Sequence, residues 1–143
     1  MYHSLLPLIG WAATLLVCVL AWWRGGPAER YGASFIILAA LAVSFAHFIL
    51  PPSAAGLSLL TIDALMAVGF LALAIRFSSL WLGAAMLLQA GQFSLHAWYL
   101  VSSLERDYFY AVANNLITAG ILLCILIGTM ISWSRKGKAV QAT

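Results

Sequence analysis

The sequence predicts an all-α polytopic membrane protein, a bundle of five transmembrane helices. Three observations carry that expectation. Hydrophobic residues make up 64% of the chain and charged residues 8%, against about 45–50% and about 25% in ordinary soluble domains. The mean hydropathy is +1.02, so too few charges exist to cover the apolar surface of a soluble fold. Finally, five apolar runs approach the roughly twenty residues needed to cross about 30 Å of hydrocarbon, and turn chemistry separates them.

The first run covers residues 5–23 and closes on Trp22-Trp23-Arg24. No positive charge precedes it and no small-residue cleavage site ends it, so it reads as a retained anchor rather than a signal peptide. Arg24-Gly25-Gly26-Pro27-Ala28-Glu29-Arg30 is a polar turn. The second run, 31–50, stops at Pro51-Pro52-Ser53 because proline cannot continue a helix. The third, 57–77, and the fourth, 80–101, are joined by Ser78-Ser79 alone, which makes them antiparallel neighbours. A loop bearing Glu105, Arg106 and Asp107 leads into the fifth, 108–133. Residues 1–134 thus form a single transmembrane domain, followed by a short basic tail, 135–143.

Alternating the runs puts Arg24, Arg30, Arg76, Arg135, Lys136 and Lys138 on one side, and Arg106 with Glu105 and Asp107 on the other. The positive-inside rule then places the amino terminus outside and the carboxyl terminus in the cytoplasm. Trp22, Trp23, Trp81 and Trp133 fall at the basic boundary, where indoles favour headgroups. Tyr2, Trp98, Tyr99, Tyr108 and Tyr110 make a second belt. The basic residues read as topology signals and not as a nucleic-acid surface, and His3 as a solvated terminal residue. Cys18 and Cys124 lie inside apolar runs and read as small buried hydrophobes. A constant offset pairs Gly32 with Gly83, Asp63 with Asn114, and Gly69 with Gly120, which leaves open a duplication of runs two–three as four–five.

Chemistry concentrates in one half of the bundle. Gln89, Gln92, His96 and Tyr99 are spaced three, four and three apart, so they share a helix face. Small residues Ala90, Gly91 and Ala97 sit beside them. His47, Asp63, Asn114 and Asn115 lie at similar depth on other runs. Because a polar group facing lipid costs several kcal/mol unpaired, these side chains are expected to turn inward. Asp63, Gln92, His96 and Asn114 should converge, with His47 nearby.

Several roles remain open for such a cluster. It can be glue that fixes helix packing in a non-enzymatic membrane subunit or scaffold, alone or as a homo-oligomer. His47 and His96 can be the axial ligands of haem b, or with Asp63 hold a metal ion. The cluster can also line a pocket for a quinone, lipid or pigment. No zinc-protease, nucleophile-elbow or phosphate-loop motif is present, so nothing in the sequence marks catalysis.

From Asp63 onward the segments "IDALMAVGFLALAIRFSSLW" and "AAMLLQ", then His96 and "ILLCILIGT" before a basic tail, resemble a loose group of small bacterial multi-span membrane proteins. The resemblance implies a bacterial inner-membrane location. It also implies an Asp-bearing third helix packed on a Gln/His-bearing fourth. It brings no activity with it.

Overall fold

The computed structural model describes the backbone of residues 5–141, which form five helices: α1 Leu5–Arg24, α2 Pro27–Ile49, α3 Pro52–Phe77, α4 Leu80–Val101 and α5 Tyr108–Gln141. Tyr2 and His3 lie outside the described residues, as does the side chain of Lys138.

Two helices, α2 and α3, begin earlier than the apolar runs suggest, and α5 ends later. The turn between α1 and α2 is only Gly25-Gly26, because Pro27 opens α2 at its first position. A helix start needs no N–H there, and the fixed φ of proline suits it. Glu29 reinforces that start by accepting the Gly26 N–H at 2.7 Å, which satisfies one donor that a helix start leaves open. In the same way Pro51-Pro52 both stops α2 and starts α3. The α3–α4 turn is as tight as expected, with Ser78 in the left-handed region at φ 46°. Asp107 caps α5 by accepting the Tyr110 N–H at 2.8 Å, the N-cap arrangement favoured for aspartate. The tail that reads as a separate segment continues α5 as helix through Gln141.

The helices close into a ring, α1 on α2, α2 on α3, α3 on α4, α4 on α5, and α5 back on α1. Successive helices alternate in direction, so an odd number leaves one parallel pair of neighbours, α1 and α5. Across the ring α2 also touches α5. Three helices are long and apolar enough to cross a membrane by length and composition: Pro27–Ile49, Gly56–Phe77 and Tyr108–Gly137. In α4 the polar stripe of Gln89, Gln92 and His96 dilutes the apolar character. The exterior is largely apolar, from Phe48 and Leu80 to Val101. Such a surface suits embedding in a lipid bilayer.

Each helix buries one narrow stripe. On α1 this is Thr14, Val17, Cys18 and Ala21, spaced three, one and three apart as a helix face requires. The Cys18 thiol donates to the Ala33 carbonyl of α2 at 3.6 Å, and both cysteines are free thiols. At the heart of the core lie Phe70, Leu82, Ile121 and Ile125.

Trp81, at the start of α4, turns its indole into the bundle, whereas Trp22, Trp23 and Trp133 are exposed. Its indole is buried between Gly32 of α2 and Gly128 of α5. A Cβ on Gly128 would stand 2.5 Å from Trp81 Cε2, and one on Gly32 3.3 Å from Cη2. The contact of α2 with α5 is built on this slot. Close approach is therefore not made at Gly91, which is exposed and where an added Cβ would meet nothing within 4 Å. The offset glycines behave alike in part: Gly69 receives Phe35 of the preceding helix and Gly120 receives Leu88, but Gly32 meets Trp81 while Gly83 meets nothing.

Candidate functional site

Helical spacing on α4 places Gln89, His96 and Tyr99 on its buried face, with Gln92 half-buried beside them. Asp63, eleven residues into α3, faces the same interior and is buried. Its two carboxylate oxygens are divided between two α4 residues. Gln89 Nε2 donates to Oδ1 at 3.0 Å, and His96 Nδ1 meets Oδ2 in a buried pair. The Asp-bearing third helix and Gln/His-bearing fourth are thus packed together. One turn along, Gln92 Nε2 donates to Asn114 Oδ1 of α5 at 2.9 Å. The α4 stripe is therefore stitched to α3 on one side and to α5 on the other.

Not every expected member joins. Tyr99 donates its hydroxyl to Asp107 at 2.7 Å, so it ties α4 to the start of α5 rather than to the Asp63 group. With that bond and the Tyr110 N–H both stabilising the anion, the Asp107 carboxyl is held below the usual carboxylate range. Asn115 is exposed, since it stands one residue, about 100°, around α5 from Asn114. His47 is also exposed, with its Nδ1 at 2.9 Å from the Val43 carbonyl of its own helix. His96, by contrast, is buried against Asp63 of α3, so the two imidazoles have different surroundings. No group of three or more His, Cys, Asp or Glu gathers among the described residues, so His47, His96 and Asp63 are not brought together as a set of metal ligands.

Sequence reading missed two features. Glu29 reads as part of a polar turn, yet it is buried at the α1–α2 corner. Proline at the first helical position with glutamate two residues on is the pattern that could have marked it. The second is a cleft of about 350 Å³ at the α4–α5 loop end, lined by Gly56, Leu59, His96, Tyr99, Arg106 and Tyr110 among others. The Tyr99 and Tyr110 rings meet edge to face at 4.9 Å. The His96 and Tyr110 rings lie 5.5 Å apart, and the Arg106 guanidinium stands 5.5 Å over Tyr110. At the opposite end, Arg24 lies between the rings of Trp23 and Trp133, and Lys136 Nζ donates to the Gly25 carbonyl at 2.9 Å.

Among the described residues no buried side-chain nitrogen or oxygen lacks a hydrogen-bond partner. In comparisons with known proteins, the chain matches no family model, no curated protein and no solved structure.

Proposed function

We propose that this protein is a non-enzymatic subunit or scaffold of a bacterial inner membrane, whose polar core fixes how α3, α4 and α5 pack. The observation that carries the reading is the internal pairing of Asp63 with Gln89 and His96, and of Gln92 with Asn114. Polar side chains satisfied in this way hold helices in one register.

The reading includes five spans with the amino terminus outside. The 22 residues of α4 extend about 33 Å at about 1.5 Å per residue, enough for about 30 Å of hydrocarbon, and its polar face is turned from lipid. Arg24, Arg30, Arg76, Arg135 and Lys136 share one end of the bundle and Arg106 stands alone at the other, which supports a cytoplasmic carboxyl terminus. His47 and Asn115 turn polar groups to the exterior, and such groups facing lipid are costly. A second copy or another membrane subunit covering them would relieve that cost.

Two measurements test this reading. In intact cells, a membrane-impermeant maleimide is expected to label Ser103→Cys, and to reach Ser134→Cys only after the membrane is opened. The reverse pattern overturns the orientation, and labelling of both in intact cells overturns the odd number of spans. For the packing role, Gln92→Leu and Asn114→Leu should couple in a double-mutant cycle of detergent unfolding. The expected coupling is about 0.6 kcal/mol and at most about 1.7. Strictly additive losses would remove the packing role from this pair.

A further inference from the structure

We propose that the cleft at the α4–α5 loop end binds an uncharged hydroxylated aromatic ring of the phenol or hydroquinone class. A ring hydroxyl donates to His96 Nε2, and a second ring oxygen accepts from the Arg106 guanidinium.

The chemistry of the walls selects this class. Asp63 occupies His96 Nδ1, and a carboxylate there fixes the tautomer that carries its proton on Nδ1. In the neutral ring Nε2 is then an acceptor. It has no partner among the described residues, yet no fully buried nitrogen there goes unpaired, so Nε2 keeps its contact with the cleft. An acceptor in a wall calls for a ligand O–H or N–H. Arg106 supplies only donors and calls for an oxygen. Between them the Tyr99 and Tyr110 rings, 4.9 Å apart, offer the aromatic surface on which a flat ring packs in an offset or edge-on geometry.

Charge and size narrow the class further. The Asp63 and Asp107 carboxylates are bonded to cleft-wall residues, to His96 and Tyr99 respectively, and their negative charge beside the cleft disfavours an anionic ring. The volume of about 350 Å³ is near the lower end of the roughly 300–1,000 Å³ common for ligand sites, which suits one ring. Gly56 keeps the space open, because a Cβ there would stand 3.1 Å from Leu100 Cδ1. The same ring chemistry has two sources, the head of a tailed membrane quinol or a free phenol.

The test is calorimetric titration of the full chain in detergent, under argon, with trimethylhydroquinone and with a decyl-tailed hydroquinone. Benzoate serves as the anionic ring. Saturable binding of the hydroquinones is expected, weakened about tenfold or more in Arg106→Gln, where a hydrogen bond to a charged group is lost, and likewise in Gly56→Val, which fills the cleft. Arg106 lies in an exposed loop, so its variant carries the test even where Gly56→Val lowers the melting temperature. Tighter binding of the tailed probe identifies a membrane quinol, and equal binding a free phenol. The proposal is overturned by no saturable binding of either hydroquinone, by unchanged affinity in Arg106→Gln, or by benzoate binding as tightly as trimethylhydroquinone.

Discussion

His96→Leu is expected to be among the most damaging substitutions in the chain, more damaging than removing its whole hydrogen-bonded group. The substitution strips the Asp63 carboxyl of its imidazole and leaves it with Gln89 alone, in a site where Asp63 is only 6% exposed. Breaking a buried pair by deleting one member costs about 3–5 kcal/mol. The lower end of that range is expected, because helices unfolded within detergent or lipid find other polar partners. Replacing Asp63, Gln89 and His96 together by leucine leaves no orphaned group, and such apolar replacement of a buried pair is often neutral or stabilising. The triple variant should therefore melt above His96→Leu despite carrying two more changes. Melting curves of the purified variants decide it. A triple variant less stable than His96→Leu would mean that the pair contributes net stability beyond its own desolvation cost.

Gly128→Ala is expected to be the second. Elsewhere in a helix, glycine to alanine stabilises by about 1 kcal/mol, and Gly91, with nothing within 4 Å of its added carbon, should show that gain. At Gly128 the added carbon falls 2.5 Å from Trp81 Cε2 and 2.6 Å from Nε1. The indole cannot slide away freely, since Gly32 of α2 backs its far edge. Overpacking of this kind costs about 1–3 kcal/mol, enough to reverse the propensity gain. Pairing the change with Trp81→Leu should recover part of the loss, a non-additivity expected only of residues in contact. If Gly128→Ala and Gly91→Ala shift the melting temperature equally, the indole does not occupy that slot.

The contrast between His96 and His47 shows what was legible in the sequence. Gln89, His96 and Tyr99 share a face of α4 by spacing alone, and that face is buried. Asp63, an acidic residue inside an apolar run, could be expected to seek an internal partner. His47 has only Ser44, one turn back on its own helix, which is too little to mark a buried polar face. The exterior of this bundle is as apolar as its interior, so amphipathic contrast, which orients helices in soluble proteins, says nothing about how α2 is rotated. Steric fit sets that rotation, with Phe35 of α2 against Gly69 of α3 and edge to face on Phe70 at 6.3 Å. Trp81 escaped for a related reason. A tryptophan near a helix start looks like a boundary anchor, and the glycines that receive it are distributed over positions 32 and 128, far apart along the chain. Both ends of α4 and the starts of α1 and α5 were legible in position, whereas the starts of α2 and α3 were not, because prolines that read as turn or stop residues are also first helical residues.

The ring has a consequence in time. The α3–α4 hairpin turns over two residues and can pair as soon as it emerges. By contrast α1, made before the other four, has α5 as one of its two neighbours, and the Lys136 bond to the Gly25 carbonyl spans 111 residues. Until α5 is made, the side of α1 that will meet it has nothing from its own chain to rest on. The bundle is an arc during most of its synthesis and becomes a ring only with its last helix, so an insertion chaperone or a neighbouring chain would find its opening between α1 and α4.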